Sequence, residues 1–193
     1  LRGSVGRTGM TLGEGAGVVV LESMEAAAAR GATVLAELVG HASTGDAGDL
    51  LRPDPVGAAA CVRAAIASAG IEPARIGYCN AHGTGTIAND VTETEALREV
   101  FGPAFEALAV SSTKPIHGHA LGAGGALEFI VTVRALCEQI APPTIDFLGV
   151  DPKIGFEPVP GVARPFAADF ALSNSFAFGG INAVLVVARP GRG

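Results

Sequence analysis

An α/β fold, with helices laid on the faces of a sheet, is what this sequence predicts. Apolar runs of strand length alternate along the chain with helical patterns. Each polar, glycine-containing motif falls just after one of those runs, where open α/β sheets place their ligands. Composition agrees: of 193 residues, 49% are hydrophobic, only 17% are charged, and the mean hydropathy is +0.42. That balance excludes disorder and supplies one sizeable core, so a single domain is the default count.

The elements follow in order. Residues 16–22, Ala-Gly-Val-Val-Val-Leu-Glu, form a continuous apolar run closed by a charge, the pattern of a buried strand. Residues 23–30 read as a helix, with Ser23 as N-cap and Gly31 as its stop. Residues 33–39 give a second strand, and 41–55 mix Ser, Thr, Gly, Asp and Pro as a loop does. Asp54 then caps an alanine-rich helix running to residue 68, with Pro55 at the first helical position, where a missing N–H costs nothing. A short strand over 76–80 runs into His82-Gly83-Thr84-Gly85-Thr86, followed by a helix over 90–101 that Gly102-Pro103 ends. A strand over 108–111 leads to a loop holding Lys114, His117 and His119, and then to a long helix over 120–139. Strands near 170–174 and 181–187 flank the turn Phe176-Ala177-Phe178-Gly179-Gly180.

Several function classes are disfavoured. Thirteen basic against nineteen acidic residues give a net charge of −6 with no basic run, so nucleic acid is not an expected partner. Cys61, Cys79 and Cys137 are odd in number and lack a CxxC spacing; neither a disulfide framework nor a zinc site is expected, and a reducing cytoplasm is. The apolar runs fall well short of the ~20 residues that cross a bilayer. No targeting segment shows at the start, and a first residue of Leu rather than Met suggests a fragment or processed chain.

Three loops carry the candidate chemistry. The first is Asn80-Ala81-His82-Gly83-Thr84-Gly85-Thr86, with Asp90 and Glu93 beyond it; the second runs from Ser111 to His119; the third is Asn174-Ser175-Phe176-Ala177-Phe178-Gly179-Gly180. Singly, none settles a function. A lone histidine after a strand more often serves structure than chemistry. The Gly-Thr-Gly turn lacks the Walker lysine pattern and the GxGxxG spacing of a phosphate cradle.

As a set and in this order, the loops closely resemble those of β-ketoacyl synthases. Gly13-Glu14-Gly15-Ala16-Gly17 ahead of Val18-Val19-Val20-Leu21-Glu22 extends the resemblance over nearly the whole chain. It implies the C-terminal half of a thiolase-like layered αβαβα fold, a mixed sheet with helices on both faces. Residues 1–193 would be the ketoacyl synthase C-terminal domain, with 1–22 the end of the preceding N-terminal half. The implied enzyme is an acyltransferase, a 3-oxoacyl-(acyl carrier protein) synthase of fatty acid or polyketide biosynthesis. Its acyl chain is held on a cysteine, malonyl thioester loses carbon dioxide, and the carbanion attacks. The resemblance implies no metal and no cofactor beyond the phosphopantetheine of an acyl carrier protein. Implied partners are that carrier, the N-terminal ketosynthase half, and a second subunit in a homodimer or heterodimer. Nucleic acid and a membrane span are not implied, and the location is cytoplasmic.

Decarboxylation leaves negative charge on the thioester oxygen, and fixed donors aimed there lower the barrier. The resemblance gives that role to neutral imidazoles at His82 and His119. The positive end of the helix after His119, together with Lys114, would keep that ring uncharged. A carboxylate holds the lysine in the family, and Glu93 stands where that carboxylate belongs, with Asp90 as the neighbouring acid. Three residues apart on a helix, the two acids share a face and would jointly orient the lysine loop. Without the resemblance they read as acids favoured at a solvated helix N-terminus. Thr84 and Thr86 match positions that contact the phosphopantetheine arm; otherwise they are hydroxyls on a turn. Phe178 matches a gating phenylalanine whose N–H helps bind the oxyanion, with Gly179 letting backbone approach the thioester. Phe176 reads as core packing, the small residues over 120–126 as tight helix packing, and His117 as a loop residue. His41 has no assigned role.

The family nucleophile lies in the half that precedes this sequence. Cys61 and Cys137 read as core residues of helices, and Cys79 as an inert strand residue without the sharp turn a nucleophile needs. Residues 1–11 depart from the family by lacking its Arg-Pro-Phe-Asp element. The chain alone is therefore expected not to condense substrates. Two other readings are a non-catalytic chain-length factor and a module that only docks the carrier. His82, Asp90, Glu93, Lys114 and His119 together favour the catalyst.

Overall fold

The computed structural model describes residues 4–193; the first three residues of the divergent amino-terminal stretch lie outside the described residues. In chain order the elements are α1 (Met24–Ala29), β1 (Glu37–Gly45), α2 (Pro55–Ser68), β2 (Ile76–Asn80), α3 (Ile87–Phe101), β3 (Ala109–Ser111), α4 (Lys114–His117), α5 (Gly124–Glu138), β4 (Ile140–Ala141), β5 (Arg164–Pro165), β6 (Phe170–Ala177) and β7 (Ile181–Ala188).

Five strands join in the order β1-β7-β6-β2-β3. β2 runs parallel to β3 and β6, while β7 runs antiparallel to β6 and β1, so the sheet is mixed. Side-chain alternation sends residues to two cores. Phe170, Leu172, Val184 and Val186 pack against α2 and α3; Ala171 and Val187 pack against Phe129, Ala135 and Leu136 of α5. Helices thus cover both faces, and strands buried on both sides read as unbroken apolar runs. Because β2, β3 and β6 are mutually parallel in direction, their C-terminal ends share one edge, and all three motif loops emerge there.

α2 begins as expected, with the Asp54 carboxylate accepting the Val56 N–H at 3.0 Å and Pro55 behind it. It packs closely on β1: a Cβ added at Gly40 would meet the Ala65 carbonyl oxygen and lie 2.7 Å from Ala69 Cβ. β2 has the expected bounds. α3 starts three residues earlier than the expected 90, because Thr86 caps it by accepting the Asn89 N–H at 3.3 Å. Among the described residues no helix is long and apolar enough to cross a membrane.

Four expectations are corrected. Residues 16–22 form no strand and are exposed, Val18 at 88% and Val20 at 82%. They pair with none of the named strands; instead Cβ atoms added at Gly15 and Gly17 would touch Leu127 and Ala126, so the segment lies along α5. The strand expected at 33–39 begins at Glu37 and continues through the polar residues to Gly45, pairing with β7 from Glu37↔Ala188 to Gly45↔Ile181. A half-exposed edge strand alternates in polarity, which hides it among loop-like residues. Residues 120–123 are a 3-10 turn and its approach rather than α-helix, so α5 starts at Gly124. Cys137 is exposed, not core, its thiol donating to the Leu35 carbonyl at 3.2 Å.

Candidate active site

The His82 loop leaves β2 with two left-handed residues, Gly83 (φ 42°) and Gly85 (φ 81°), a conformation glycine adopts without strain. Its backbone is held by acids on α3. The His82 and Gly83 N–H groups each donate to one oxygen of the Glu93 carboxylate, both at 2.9 Å. Asn174 on β6 donates to the same carboxylate at 3.1 Å, so Glu93 ties loop, helix and strand together. One turn earlier, Asp90 accepts the Gly85 N–H at 3.2 Å and faces the Arg7 guanidinium at 3.5 Å. Both acids are fully buried.

The two acids therefore share a face as expected but orient the His82 loop, not the lysine loop. The Lys114 ammonium pairs instead with Glu128 on α5. Glu93 is already committed to the backbone amides, and the α5 carboxylate lies within reach of the lysine from the far side.

Lys114 Nζ also stands 3.3 Å from His82 Nδ1. An ammonium only donates, so Nδ1 accepts and the neutral ring carries its proton on Nε2. His119 reaches the same tautomer by another route: its Nδ1 accepts the Leu121 N–H at 3.2 Å, from the 3-10 turn. The two rings lie 5.4 Å apart at 82°, and Phe176 packs its ring 5.9 Å from His82. Burial, then the nearby Lys114 and His119, holds the His82 imidazole well below its ordinary value. Burial also lowers His119, followed by Lys114 and His117. Burial is the larger cause, and the lysine expected from the sequence adds to it.

The rings face a cavity of about 660 Å³, lined also by Lys114, Thr84, Thr86 and Phe178. The Thr84 and Thr86 hydroxyls bond each other at 2.9 Å within it. Phe178 crowns the β6–β7 turn and is 63% exposed. Gly179 beside it donates its N–H to the Leu50 carbonyl at 2.8 Å. Phe176 is buried core, as expected, and also walls the cavity. His117 ends α4, with its ring nitrogens on Thr113 Oγ1 and the Gly118 carbonyl. His41 lies exposed on β1.

Comparison with known proteins decides the family. The family description "Beta-ketoacyl synthase, C-terminal domain" matches residues 35–148. The chain belongs to the β-ketoacyl synthases. Nodulation protein E of Rhizobium sp. (strain N33) is 49% identical over 93% of this chain and 44% of its own length. The 3-oxoacyl-[acyl-carrier-protein] synthase 2 of Coxiella burnetii (strain RSA 493 / Nine Mile phase I) is 46% identical over 95% of this chain and 45% of its own. Among solved structures, the ishigamide ketosynthase/chain length factor superposes with a TM-score of 0.94 at 39% identity, covering 98% of this chain and 46% of that one. The chain thus spans less than half the length of the relatives it matches, and it has their thiolase-like architecture.

Within this β-ketoacyl synthase domain, the structure adds residues the sequence did not single out. Glu128 had a usable signal: it is an isolated acid in the apolar helix stretch Gly-Gly-Ala-Leu-Glu-Phe-Ile-Val. Asn174 lay inside a motif but without a role. Arg7, buried between Asp90 and Asp151, sits in a stretch with no pattern to flag it.

The synthase domain's own cysteines are poorly placed for catalysis. Cys61 and Cys79 are buried, and burial pushes both thiols up, Cys79 strongly with Glu93 adding to it. Cys137 lies thirteen residues along α5 from Gly124, about 20 Å at the helical rise.

Proposed function

We propose that this domain supplies the electrophilic half of a decarboxylative Claisen condensation, in a 3-oxoacyl-(acyl carrier protein) synthase. One observation carries the reading. Two neutral imidazoles, each with Nδ1 engaged as acceptor, stand edge to face at 5.4 Å over one cavity. Each therefore presents a protonated Nε2, and a thioester oxygen bound between them gains two fixed donors as malonyl loses carbon dioxide. Lys114 and Glu128 keep His82 in that tautomer, and Glu93 and Asp90 hold its loop. The Thr84 and Thr86 hydroxyls are assigned to the phosphopantetheine arm, and Phe178 with Gly179 to the cavity mouth and acyl thioester.

The covalent step needs a nucleophile, which this reading places in the N-terminal ketosynthase half, with residues 1–22 leading out of that half. The acyl chain passes to that thiol with loss of the carrier thiolate. The malonyl carbanion then attacks the new thioester and expels the thiol. Side chains supply all of this chemistry, so the reading assigns no metal or resident cofactor. An acyl carrier protein, the N-terminal half and a second subunit, identical or related, are the proposed partners in the cytoplasm. The intact imidazole pair and its lysine favour a condensing subunit over a chain-length factor.

The test is malonyl-thioester decarboxylation by the full-length protein. His82→Ala and His119→Ala should each lower kcat by about 10²–10³, the usual effect of deleting one oxyanion donor. Unchanged decarboxylation in both would leave a carrier-docking module. Ketoacyl product from the purified 193-residue chain alone would overturn the divided assignment.

A further inference from the structure

Residues 7–13 reach the His119 loop directly and the His82 loop through Asp90. At one end, the Arg7 side chain is 2% exposed and bridges two acids, Asp151 at 2.6 Å and Asp90 at 3.5 Å. Asp90 in turn accepts the Gly85 N–H of the His82 loop. At the other end the contact is backbone to backbone. The His119 N–H donates to the Thr11 carbonyl at 2.7 Å, and the His119 carbonyl accepts the Gly13 N–H at 3.1 Å.

That second contact leaves no space for a side chain. A Cβ on Gly118 would lie 2.7 Å from Gly13 Cα, and one on Gly13 would collide with the His117 carbonyl oxygen and sit 2.9 Å from Gly118 Cα. Between the two fixed points, Met10 lines the cavity itself.

We propose that residues 7–13 are a positioning strap that sets the spacing of the His82 and His119 rings, fixed at Arg7 through Asp90 and at Gly13 through the His119 backbone. The inference rests on the reading of the two imidazoles as a donor pair. A strap of this kind matters because catalytic geometry is unforgiving. A misplacement of about 1 Å costs as much as 10² in rate.

The experiment compares Gly13→Ala, Arg7→Met and Arg7→Lys with Gly40→Ala in the full-length protein. Gly40→Ala is a control because it crowds α2 against β1, away from the cavity. Gly13→Ala and Arg7→Met are each expected to lower decarboxylation kcat by about 10–10² with KM nearly unchanged. Amide exchange should quicken selectively, at 119–121 for Gly13→Ala and at 82–86 for Arg7→Met. Arg7→Lys should lose less than Arg7→Met, since it keeps the positive charge, yet fall short of wild type, since an ammonium lacks the fork that reaches both carboxylates. Gly40→Ala should lower the melting temperature while its folded fraction keeps the wild-type kcat.

Wild-type kcat and loop exchange in Gly13→Ala and Arg7→Met would overturn the strap. If neither variant folds, wild-type kcat and exchange in Arg7→Lys would do the same. His82→Ala and His119→Ala run alongside: if they retain decarboxylation, the donor reading fails, whereas if they abolish it and the strap variants do not, the strap alone fails.

Discussion

The two histidine loops reach one cavity by opposite means. The His82 loop is held by side chains: Glu93 takes its amides, Asp90 takes Gly85, and Lys114 takes the ring. Backbone holds the His119 loop, through Thr11 and Gly13 for its peptide and Leu121 for its ring. Side-chain scaffolding is buried and charged, so it fails abruptly when one partner is removed. Backbone scaffolding involves no charge, and crowding defeats it where truncation does not.

The comparison breaks most sharply at the lysine. Lys114→Met leaves the Glu128 carboxylate buried and unpaired, and should cost about 3–5 kcal/mol in urea unfolding. Replacing both partners, Lys114→Met with Glu128→Leu, should recover much of that stability, while decarboxylation stays low because His82 Nδ1 has lost its donor. Full activity in the double variant would show that His82 needs no charged support.

Next comes the acid under the loop. Glu93→Ala removes the acceptor of the buried His82 and Gly83 amides, at about 1–3 kcal/mol for each unsatisfied group. Exchange should speed at 82–86 and not at 117–121. Equal exchange in both loops would mean that they are one unit and not two.

A smaller effect separates the rings by pH. Both imidazoles bind protons more weakly in the folded protein than at the ordinary value of 6.5, His82 more so. Their contribution to stability is therefore full above 6.5 and is lost as pH falls below it toward the folded values. In an NMR titration the less buried His119 should protonate first and His82 later, both below 6.5. The reverse order would contradict the difference in burial.

The smallest effect is at the cavity mouth. Phe178→Ala removes an exposed ring from neither scaffold and should change stability by no more than about 0.5 kcal/mol.

The same contrast explains what the sequence reveals. The His82 scaffold is written in residue types: a glycine-rich loop after a strand, then two acids at helical spacing. α2 is equally plain, because Asp54 and Pro55 announce it. By contrast, nothing in Thr11 or Gly13 says that their peptide groups meet His119 more than a hundred residues later. Long-range backbone pairing has no residue-type signature. The lysine's partner is hidden for a related reason. The expected carboxylate is Glu93, and only the packing of α5 on the sheet brings Glu128 to the lysine instead. Residues 16–22 mark the opposite limit. Their apolar pattern states a demand for burial without naming what meets it.

That demand has a practical side. Val18-Val19-Val20-Leu21 carries no charge or proline, is rich in β-branched residues, and stands open to solvent in this chain. Such a segment is a template for cross-strand self-association. Expressed by itself, the domain should collect in inclusion bodies or as soluble aggregates, and a charge placed at Val18 or Val20 should keep it dispersed.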